Sequence, residues 1–331
     1  MTRYVSTTPG LYPLPDWAKE ELSDLKGNQK EDLIDGTESE EIRTTYDTVR
    51  SELIDRQRAA GLDRLVEGQA RWDDVLAHPL AVHGNVETRG IIRYYDNNNF
   101  YRKPVVTGEL TPDGDVAAEL AATAGEVDEG LQAVLPGPYS LADLVTDEYY
   151  ADEDEFLAAV TEFLVGEIEA FPSVETLFLL EPSLVENPFD NERGERVSEA
   201  LDRVSGAIDA DVVVYPYWGA LADHVYAHVL DADFGALGYD LVSAPDANVY
   251  NAGEYGTTDD VALGVVDGKN TSVERPETIR ERLDWFDEQT PTEEFDTVYA
   301  TANVELFYLP ENRFEEKLDA LGAATKLEVT A

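Results

Sequence analysis

The sequence contains no cysteine in its 331 residues. This absence excludes thiolate nucleophiles, disulfide bonds, iron–sulfur clusters and zinc sites built on sulfur, because each of these needs the deprotonated thiol that only cysteine supplies. Whatever chemistry the chain performs must therefore rest on oxygen and nitrogen groups.

Positive charge is also scarce. Lys and Arg number 24 against 70 Asp and Glu, which gives a formal net charge of -46 at pH 7. Since 43% of the residues are hydrophobic, the chain has too much apolar material for a disordered acidic protein, and we expect a folded core with an acidic surface. Such a surface repels phosphate backbones and anionic lipids, so we expect no nucleic-acid partner and no membrane partner.

Lysine is the rarer of the two cationic residues, with seven in the chain. An excess of carboxylates with few lysines resembles the salt-adapted cytoplasmic proteins of extreme halophiles. The composition therefore predicts a halophilic protein whose stability rises in molar salt, where the Debye length falls to about 3 Å and the repulsion between carboxylates is screened.

Long apolar runs are missing too. No stretch approaches the roughly 20 apolar residues that a membrane span needs, and the N-terminal MTRYVSTTPG lacks the apolar core of a secretory signal. No linker rich in Gly, Ser or Pro divides the chain. We therefore expect a soluble, cytoplasmic protein in which residues 1–331 form one domain.

An alternation of short apolar runs with helical patterns fills the chain. The runs predict buried strands at Val5–Thr8, Arg64–Glu67, Gln132–Leu135, Thr176–Leu180, Asp211–Tyr215, Ala236–Tyr239, Leu263–Val266 and Thr297–Ala300. The helical patterns include Glu38–Ala60, Glu153–Ala170, Asn191–Ile208, Trp218–Leu230, Arg275–Glu288 and Glu311–Leu321. A strand followed by a helix, repeated about eight times, is typical of a single (β/α)8 TIM barrel, and this is the α/β fold that we expect. An open doubly wound sheet shows the same alternation, but no Gly-rich phosphate-binding turn follows the first predicted strand.

A polar interruption follows the second predicted strand. Residues 84–108 hold two alternating segments on either side of Asp96, Asn97, Asn98 and Asn99. Alternating segments around a polar turn predict a β-hairpin that leaves the barrel after strand 2.

In this fold, function resides just past the C-terminal ends of the strands. Polar and aromatic residues are frequent at those positions, which predicts a pocket for a polar small molecule with a flat portion. The candidate substrate-binding residues are Arg71, Asp73, Asp74, Glu181, Tyr217, Trp218, Asp240, Asp267, Asn270, Asn303 and Glu305. The pattern assigns a catalytic role to none of them.

Two of these candidates have an equally ordinary structural interpretation. Glu181 follows an apolar strand and precedes Pro182, so it either holds a substrate ammonium or amide edge in the barrel mouth, or caps a neighbouring loop. Arg71 lies close to Asp73 and Asp74, and an Arg flanked by acids is more often ion-paired than available to a ligand.

The aromatic and acidic candidates also allow alternatives. Tyr217 and Trp218, with Tyr215 before them, form either a wall for a flat ring or ordinary packing at the rim. Convergence of Glu181, Asp240, Asp267 and Glu305 would suit Mg²⁺ or Ca²⁺. In a chain this acidic, solvated carboxylates are the favoured interpretation, and we expect no metal site.

The four histidines fall into two pairs. His224 and His228 have i, i+4 spacing on a predicted helix and share one face, but their apolar neighbours favour packing over metal binding. His78 and His83 precede the predicted hairpin, where an acid–base role is the less favoured interpretation.

Several strand-end segments resemble motifs of cobalamin-independent methionine synthase. In chain order these segments are TTPGLYP at 7–13, GPYS at 137–140, LEPSL at 180–184, YWG at 217–219 and VVDGKN at 265–270. The last two are closer to the family's N-terminal, zinc-free barrel than to its catalytic barrel. The resemblance begins at about Val5 and runs to the end of the chain, and it implies a barrel related to methyl transfer to homocysteine.

The departures from the family pattern lie where its chemistry occurs. Members bind the zinc that activates homocysteine through His-x-Cys, Glu and Cys after strands five, six and eight. The resemblance places Tyr215, Tyr217, Asp240 and Val304 at these positions. One carboxylate does not hold zinc against water. The family's catalytic Asp, opening Ser and catalytic His correspond to Leu180, Leu11 and Asp267.

The resemblance therefore implies a methionine-synthase-related methyltransferase component of a split enzyme in methionine biosynthesis. It would act with a separate zinc-bearing methionine synthase barrel, bind no cofactor itself, and be inactive alone; a methyl-folate-type donor and another small-molecule substrate are compatible with it. Two alternatives stay open: a non-catalytic binding or assembly subunit, and an enzyme like uroporphyrinogen decarboxylase, which is least favoured because few Arg residues follow the strands.

Overall fold

The computed structural model describes residues 2–24, 37–72, 76–93 and 100–327. The strands in these ranges are β1 (Arg3–Ser6), β2 (Leu65–Val66), β3 (Val86–Arg93), β4 (Phe100–Val106), β5 (Leu131–Pro136), β6 (Thr146–Asp147), β7 (Thr176–Leu180), β8 (Asp211–Tyr215), β9 (Ala236–Asp240), β10 (Asp260–Val266) and β11 (Thr297–Ala302). The helices are α1 (Asp16–Asp24), α2 (Glu40–Ala60), α3 (His78–Ala81), α4 (Asp115–Ala124), α5 (Pro138–Leu144), α6 (Glu153–Glu169), α7 (Ser183–Glu186), α8 (Gly194–Ser205), α9 (Asp223–Leu230), α10 (Pro245–Tyr255), α11 (Pro276–Gln289) and α12 (Glu311–Ala324).

Eight of these strands form one parallel sheet, in the order β1-β11-β10-β9-β8-β7-β5-β2. The strands at the two ends of that order also meet, because the amides of Asp63 and Arg64 both donate to the carbonyl oxygen of Ser6 over 3.1 Å. The sheet therefore curls back on itself, and the predicted (β/α)8 architecture is confirmed.

The central strands are buried on both faces, which explains their composition. β7 reads TLFLL and is buried throughout, while β8 reads DVVVY and is buried except at Asp211. Parallel strands with a helix layer outside and side chains inside have no solvent face, so they read as continuous apolar runs. The bounds of both strands coincide with the predicted runs.

Several predicted boundaries differ from those of the structure, and two of the differences have a clear physical reason. β1 ends at Ser6, not Thr8: the Thr7 amide still donates to the carbonyl oxygen of Ala300 over 2.9 Å, but the carbonyl oxygen of Thr8 accepts from the Gln132 side chain over 2.8 Å. The helix predicted from Trp218 begins at Asp223, because Trp218 has a φ of 74° and a right-handed helix requires a negative φ.

A separate three-stranded sheet has the order β3-β4-β6. β3 and β4 pair antiparallel, from Val86 opposite Val106 to Arg93 opposite Phe100. This confirms the predicted hairpin after the second barrel strand. Its predicted turn at 96–99 lies outside the described residues.

The helices lie outside the sheet, and α2 shows how local signals begin and end one of them. α2, with 21 residues, begins where the Ser39 side chain accepts from the Ile42 amide and ends at Gly61, whose φ is 73°. Within the described ranges, no helix is both long enough and apolar enough to cross a membrane.

Candidate functional site

Backbone strain is concentrated just past the C-terminal ends of the barrel strands. Leu11 after β1, Gln69 after β2 and Trp218 after β8 have φ values of 56°, 51° and 74°. Such conformations cost about 1–3 kcal/mol each for residues other than glycine, and they cluster at functional sites. This end of the barrel, where the predicted residues lie, therefore has the strained backbone that is typical of a functional site.

Glu181 lies directly after β7 and is completely buried. Its carboxylate accepts from the Tyr139 amide (3.0 Å), the Ser140 amide (2.7 Å) and the Ser140 hydroxyl (2.6 Å). These are the first groups of α5, so Glu181 caps that helix. Burial raises its pKa to about 7, although the three donors act to lower it. Of the two interpretations, the geometry favours the cap.

Asp240, the last residue of β9, is also completely buried. It accepts from the amides of Trp218 (3.1 Å), Val242 (3.0 Å) and Ser243 (2.8 Å). A fourth bond comes from Asn303 Nδ2 over 3.0 Å. Both carboxylate oxygens are therefore occupied, and Asp240 holds the ends of β8, β9 and β11 together.

Glu305, past the end of β11, is 2% exposed. Its Oε2 is buried, and no group of the described residues donates to it with full hydrogen-bond geometry. Burial raises the pKa of Glu305, while Lys269 and the Tyr217 hydroxyl act to lower it. A buried carboxylate oxygen without a donor is costly, and a ligand N–H would supply that donor.

Aromatic side chains and one cation accompany Glu305. The rings of Tyr217 and Trp218 meet edge to face at 4.9 Å, and Lys269 Nζ lies 4.8 Å from the centroid of the Trp218 ring. We call Glu305, Tyr217, Trp218 and Lys269 the Glu305 subsite. It combines a carboxylate, a flat apolar face and an ammonium group, which suits a polar molecule with a planar portion.

Asp267 and Asn270 occupy the loop after β10 but do not enter the Glu305 subsite. Asp267 Oδ1 accepts from the amides of Lys269 (2.9 Å) and Asn270 (3.1 Å). Asn270 is exposed and accepts from the Ser272 amide. Both side chains therefore shape the loop that carries Lys269.

Arg71 lies in a separate group of charges. It pairs with Glu38, with Glu119 at 3.3 Å, and stacks over the Tyr46 ring at 5.0 Å. This agrees with the ion-paired interpretation. Asp73 and Asp74 lie outside the described residues.

The histidines make structural contacts. His224 Nε2 lies 2.8 Å from the carbonyl oxygen of Phe189, and His228 packs against the same Phe189 ring at 6.0 Å. His78 Nε2 lies 3.3 Å from Asp115 Oδ2, and its ring stacks on Trp72.

Sequence reasoning missed two residues of this region. Glu67, directly after β2, is buried, and burial together with Glu119 raises its pKa to about 8 against the opposing effect of Arg50. The available signal in the sequence was an acidic residue directly after the apolar pair Leu65 and Val66. Lys269 was missed because a lysine in a polar loop gives no signal of its contact with Trp218.

The residues present do not fit a zinc ion of the kind that the resemblance places in the family's catalytic barrel. Asp240 has its acceptor capacity filled by four donors, and the Tyr215 hydroxyl donates to the Ala302 carbonyl over 2.7 Å. Glu181, Asp240, Asp267 and Glu305 also form no oxygen ring: nowhere in the described part of the chain do three His, Asp or Glu side chains converge to hold a metal.

A family model described as the cobalamin-independent synthase N-terminal domain matches residues 82–290. The methionine synthase of Sulfolobus acidocaldarius is 21% identical over 285 residues, which cover 84% of this chain and 79% of that protein. The methionine synthase of Sulfurisphaera tokodaii is 20% identical over 284 residues, with the same coverage of 84% and 79%.

A solved structure gives the same fold. The B12-independent methionine synthase of a Shewanella species, in complex with selenomethionine, matches with a TM-score of 0.79 at 17% identity, over 97% of this chain and 96% of that one. At this identity the likeness shows the fold alone, but the family model covers more than half of the chain. The chain therefore belongs to the cobalamin-independent synthase family, through that family's N-terminal domain.

Proposed function

We propose that this chain acts in methionine biosynthesis as a zinc-free methionine-synthase-type barrel that takes part in methyl transfer to homocysteine together with a separate zinc-bearing barrel. The observation that carries the proposal is the family-model match over residues 82–290. Relatives named methionine synthase, aligned across most of both chains, support it.

The hydrogen bonds at the strand ends support the part of the proposal in which the other barrel, and not this one, holds the zinc. The position where the family resemblance expects a metal-binding carboxylate is Asp240, which is occupied by three amides and Asn303. Releasing it for a metal would leave the partly buried backbone N–H groups of Trp218, Val242 and Ser243 without this acceptor, at up to about 1–3 kcal/mol each where water cannot replace it. Activation of the acceptor thiol is therefore assigned to the other barrel.

In this proposal the chain's own contribution is binding at the Glu305 subsite. Glu305 Oε2 would accept an N–H of the ligand, the Trp218 face would carry its planar part, and Lys269 would face its negative charge. A methyl-folate-type donor has groups of all three kinds. Because Glu305 is 2% exposed, a ligand donor there would meet little competition from water.

The proposal is tested by mixing the purified chain with a purified zinc-bearing methionine synthase barrel from the same organism, homocysteine and methyltetrahydrofolate, in molar salt. We expect methionine to form in the mixture and not with this chain alone. Turnover by this chain alone would contradict the proposal, and so would a zinc-bearing barrel whose rate is unaffected by adding it.

Matched variants connect the activity to the subsite. Glu305→Gln keeps the size of the side chain but removes its charge, and we expect it to lower the chain's stimulation of the mixture about tenfold or more, as loss of a charged hydrogen bond would. Glu288→Gln changes an exposed acid on α11 and should retain full stimulation. If Glu305→Gln and Glu288→Gln stimulate the mixture equally, and the chain still binds the zinc-bearing barrel tightly, the chain would be an assembly subunit instead.

A further inference from the structure

The loop between β10 and α11, residues 267–275, carries Lys269 and is hydrogen-bonded to a buried lysine. Lys317 lies in α12, and its side chain is 0% exposed. Its Nζ donates to the carbonyl oxygen of Ser272 and to Glu274 Oε2, both over 2.7 Å. We call residues 267–275 the Lys269 loop.

Glu274 connects Lys317 to the start of the loop. Its other oxygen, Oε1, accepts from the Asp267 amide over 2.8 Å, and its side chain is 10% exposed. Asp267 in turn accepts from the amides of Lys269 and Asn270. A continuous set of bonds therefore runs from Lys317 to the backbone of Lys269.

The same loop is pressed against the segment that carries Glu305. The Gly268 amide donates to Asn303 Oδ1 over 3.0 Å. A Cβ on Gly268 would lie 2.7 Å from Val304 Cγ2 and 2.8 Å from the carbonyl oxygens of Val304 and Glu305, so this contact leaves no space for a side chain. The position of the Lys269 loop and the position of Glu305 are thus mutually dependent.

The choice of a lysine for this anchor is unusual in this protein. Only seven lysines occur in the chain, and a buried ammonium needs a counter-ion and hydrogen bonds to be tolerated. Lys317 has both in Glu274 and Ser272. Lys269, at the other end of the bonds, is exposed and keeps its Nζ over the Trp218 ring.

We propose that Lys317 and Glu274 are positioning residues, which hold the Lys269 loop against the Glu305 segment so that the Lys269 ammonium stays over Trp218 within the Glu305 subsite. Neither touches the ligand in this arrangement. The importance of the subsite for a ligand rests on the proposed function, but the positioning itself does not.

The test uses the full chain labelled with 5-fluorotryptophan, with the Trp218 resonance assigned by Trp218→Phe. Lys269→Met gives the reference shift for a Trp218 ring without its cation. We expect Lys317→Met to move the Trp218 resonance toward that reference while the other tryptophan resonances stay in place, and to speed amide exchange of residues 267–270 about tenfold. Lys326→Met is the matched control, because Lys326 also donates to a backbone carbonyl, but to that of Gly61 after α2 and not to one in the Lys269 loop.

A Trp218 resonance and amide exchange unchanged in a folded Lys317→Met protein would overturn the proposal. If this variant does not fold, Glu274→Gln takes its place, because it removes the charge and keeps a carbonyl oxygen for the Asp267 amide; the same shift of Trp218 supports the proposal and its absence overturns it. No ligand enters these measurements, so their failure is distinct from failure of the proposed function.

Discussion

Glu181→Ala should destabilise the protein strongly. The substitution removes the acceptor of three hydrogen bonds and leaves the buried amides of Tyr139 and Ser140 without a partner. Each unsatisfied buried donor costs about 1–3 kcal/mol, and a lost negative charge at a helix N-terminus costs about 0.3–1 kcal/mol more. We therefore expect a loss of about 2–7 kcal/mol in the free energy of unfolding, a large part of the 5–15 kcal/mol that is typical of a whole domain.

The assay is urea unfolding in molar salt at pH 7.5, followed by circular dichroism. Glu186→Gln is the control, since Glu186 is exposed at the end of α7, and a surface change of this kind should alter the stability by no more than about 0.5 kcal/mol. A Glu181→Ala protein within about 1 kcal/mol of the wild type would refute the assignment of Glu181 as a helix cap and return it to the candidates for ligand binding.

Three further predictions concern charge. The formal charge of -46 predicts a melting temperature that rises from dilute buffer to multimolar KCl, and a temperature indifferent to salt would contradict the screening argument. The raised pKa of Glu67, about 8, means that the folded state keeps a proton that the unfolded state loses near pH 4.5; its contribution to stability is therefore present below that pH and is lost as the pH rises through 8. Glu67→Gln should accordingly gain stability relative to the wild type over this window, by at most about 1.4 kcal/mol per pH unit, whereas parallel stability curves would show that Glu67 ionises normally. Asp240→Asn replaces an acceptor of four bonds by a group that also donates, and we expect a loss of about 2–4 kcal/mol in chemical unfolding; a neutral substitution would mean that Asp240 does not hold the strand ends together.

The sequence predicted the barrel well where the physics is local. β7 and β8 are continuous apolar runs because they are covered on both faces, so their bounds coincide with the pattern. The end of β1 was misplaced because the Thr8 carbonyl oxygen bonds to the Gln132 side chain, and the start of α9 was misplaced because Trp218 has a positive φ.

The site was harder to predict because it depends on contacts between distant parts of the chain. Glu181 has the same place in the sequence whether it caps a helix or faces a ligand, and only its three donors distinguish these roles. Lys317 lies in a helix where a lysine normally faces solvent, yet its side chain is completely buried. The candidates Tyr217, Trp218 and Glu305 lie together, but no sequence motif marks Lys269, the fourth residue of their group.

The most direct test of the central claim, that this zinc-free barrel works with a separate zinc-bearing one, is a titration. The rate of methionine formation is measured while the purified chain is added to a fixed amount of the zinc-bearing barrel, with homocysteine and methyltetrahydrofolate in excess. The proposal predicts no turnover without the zinc-bearing barrel and a rate that rises and saturates as this chain is added. Methionine formed by this chain alone, or a rate that does not depend on its concentration, would contradict the claim.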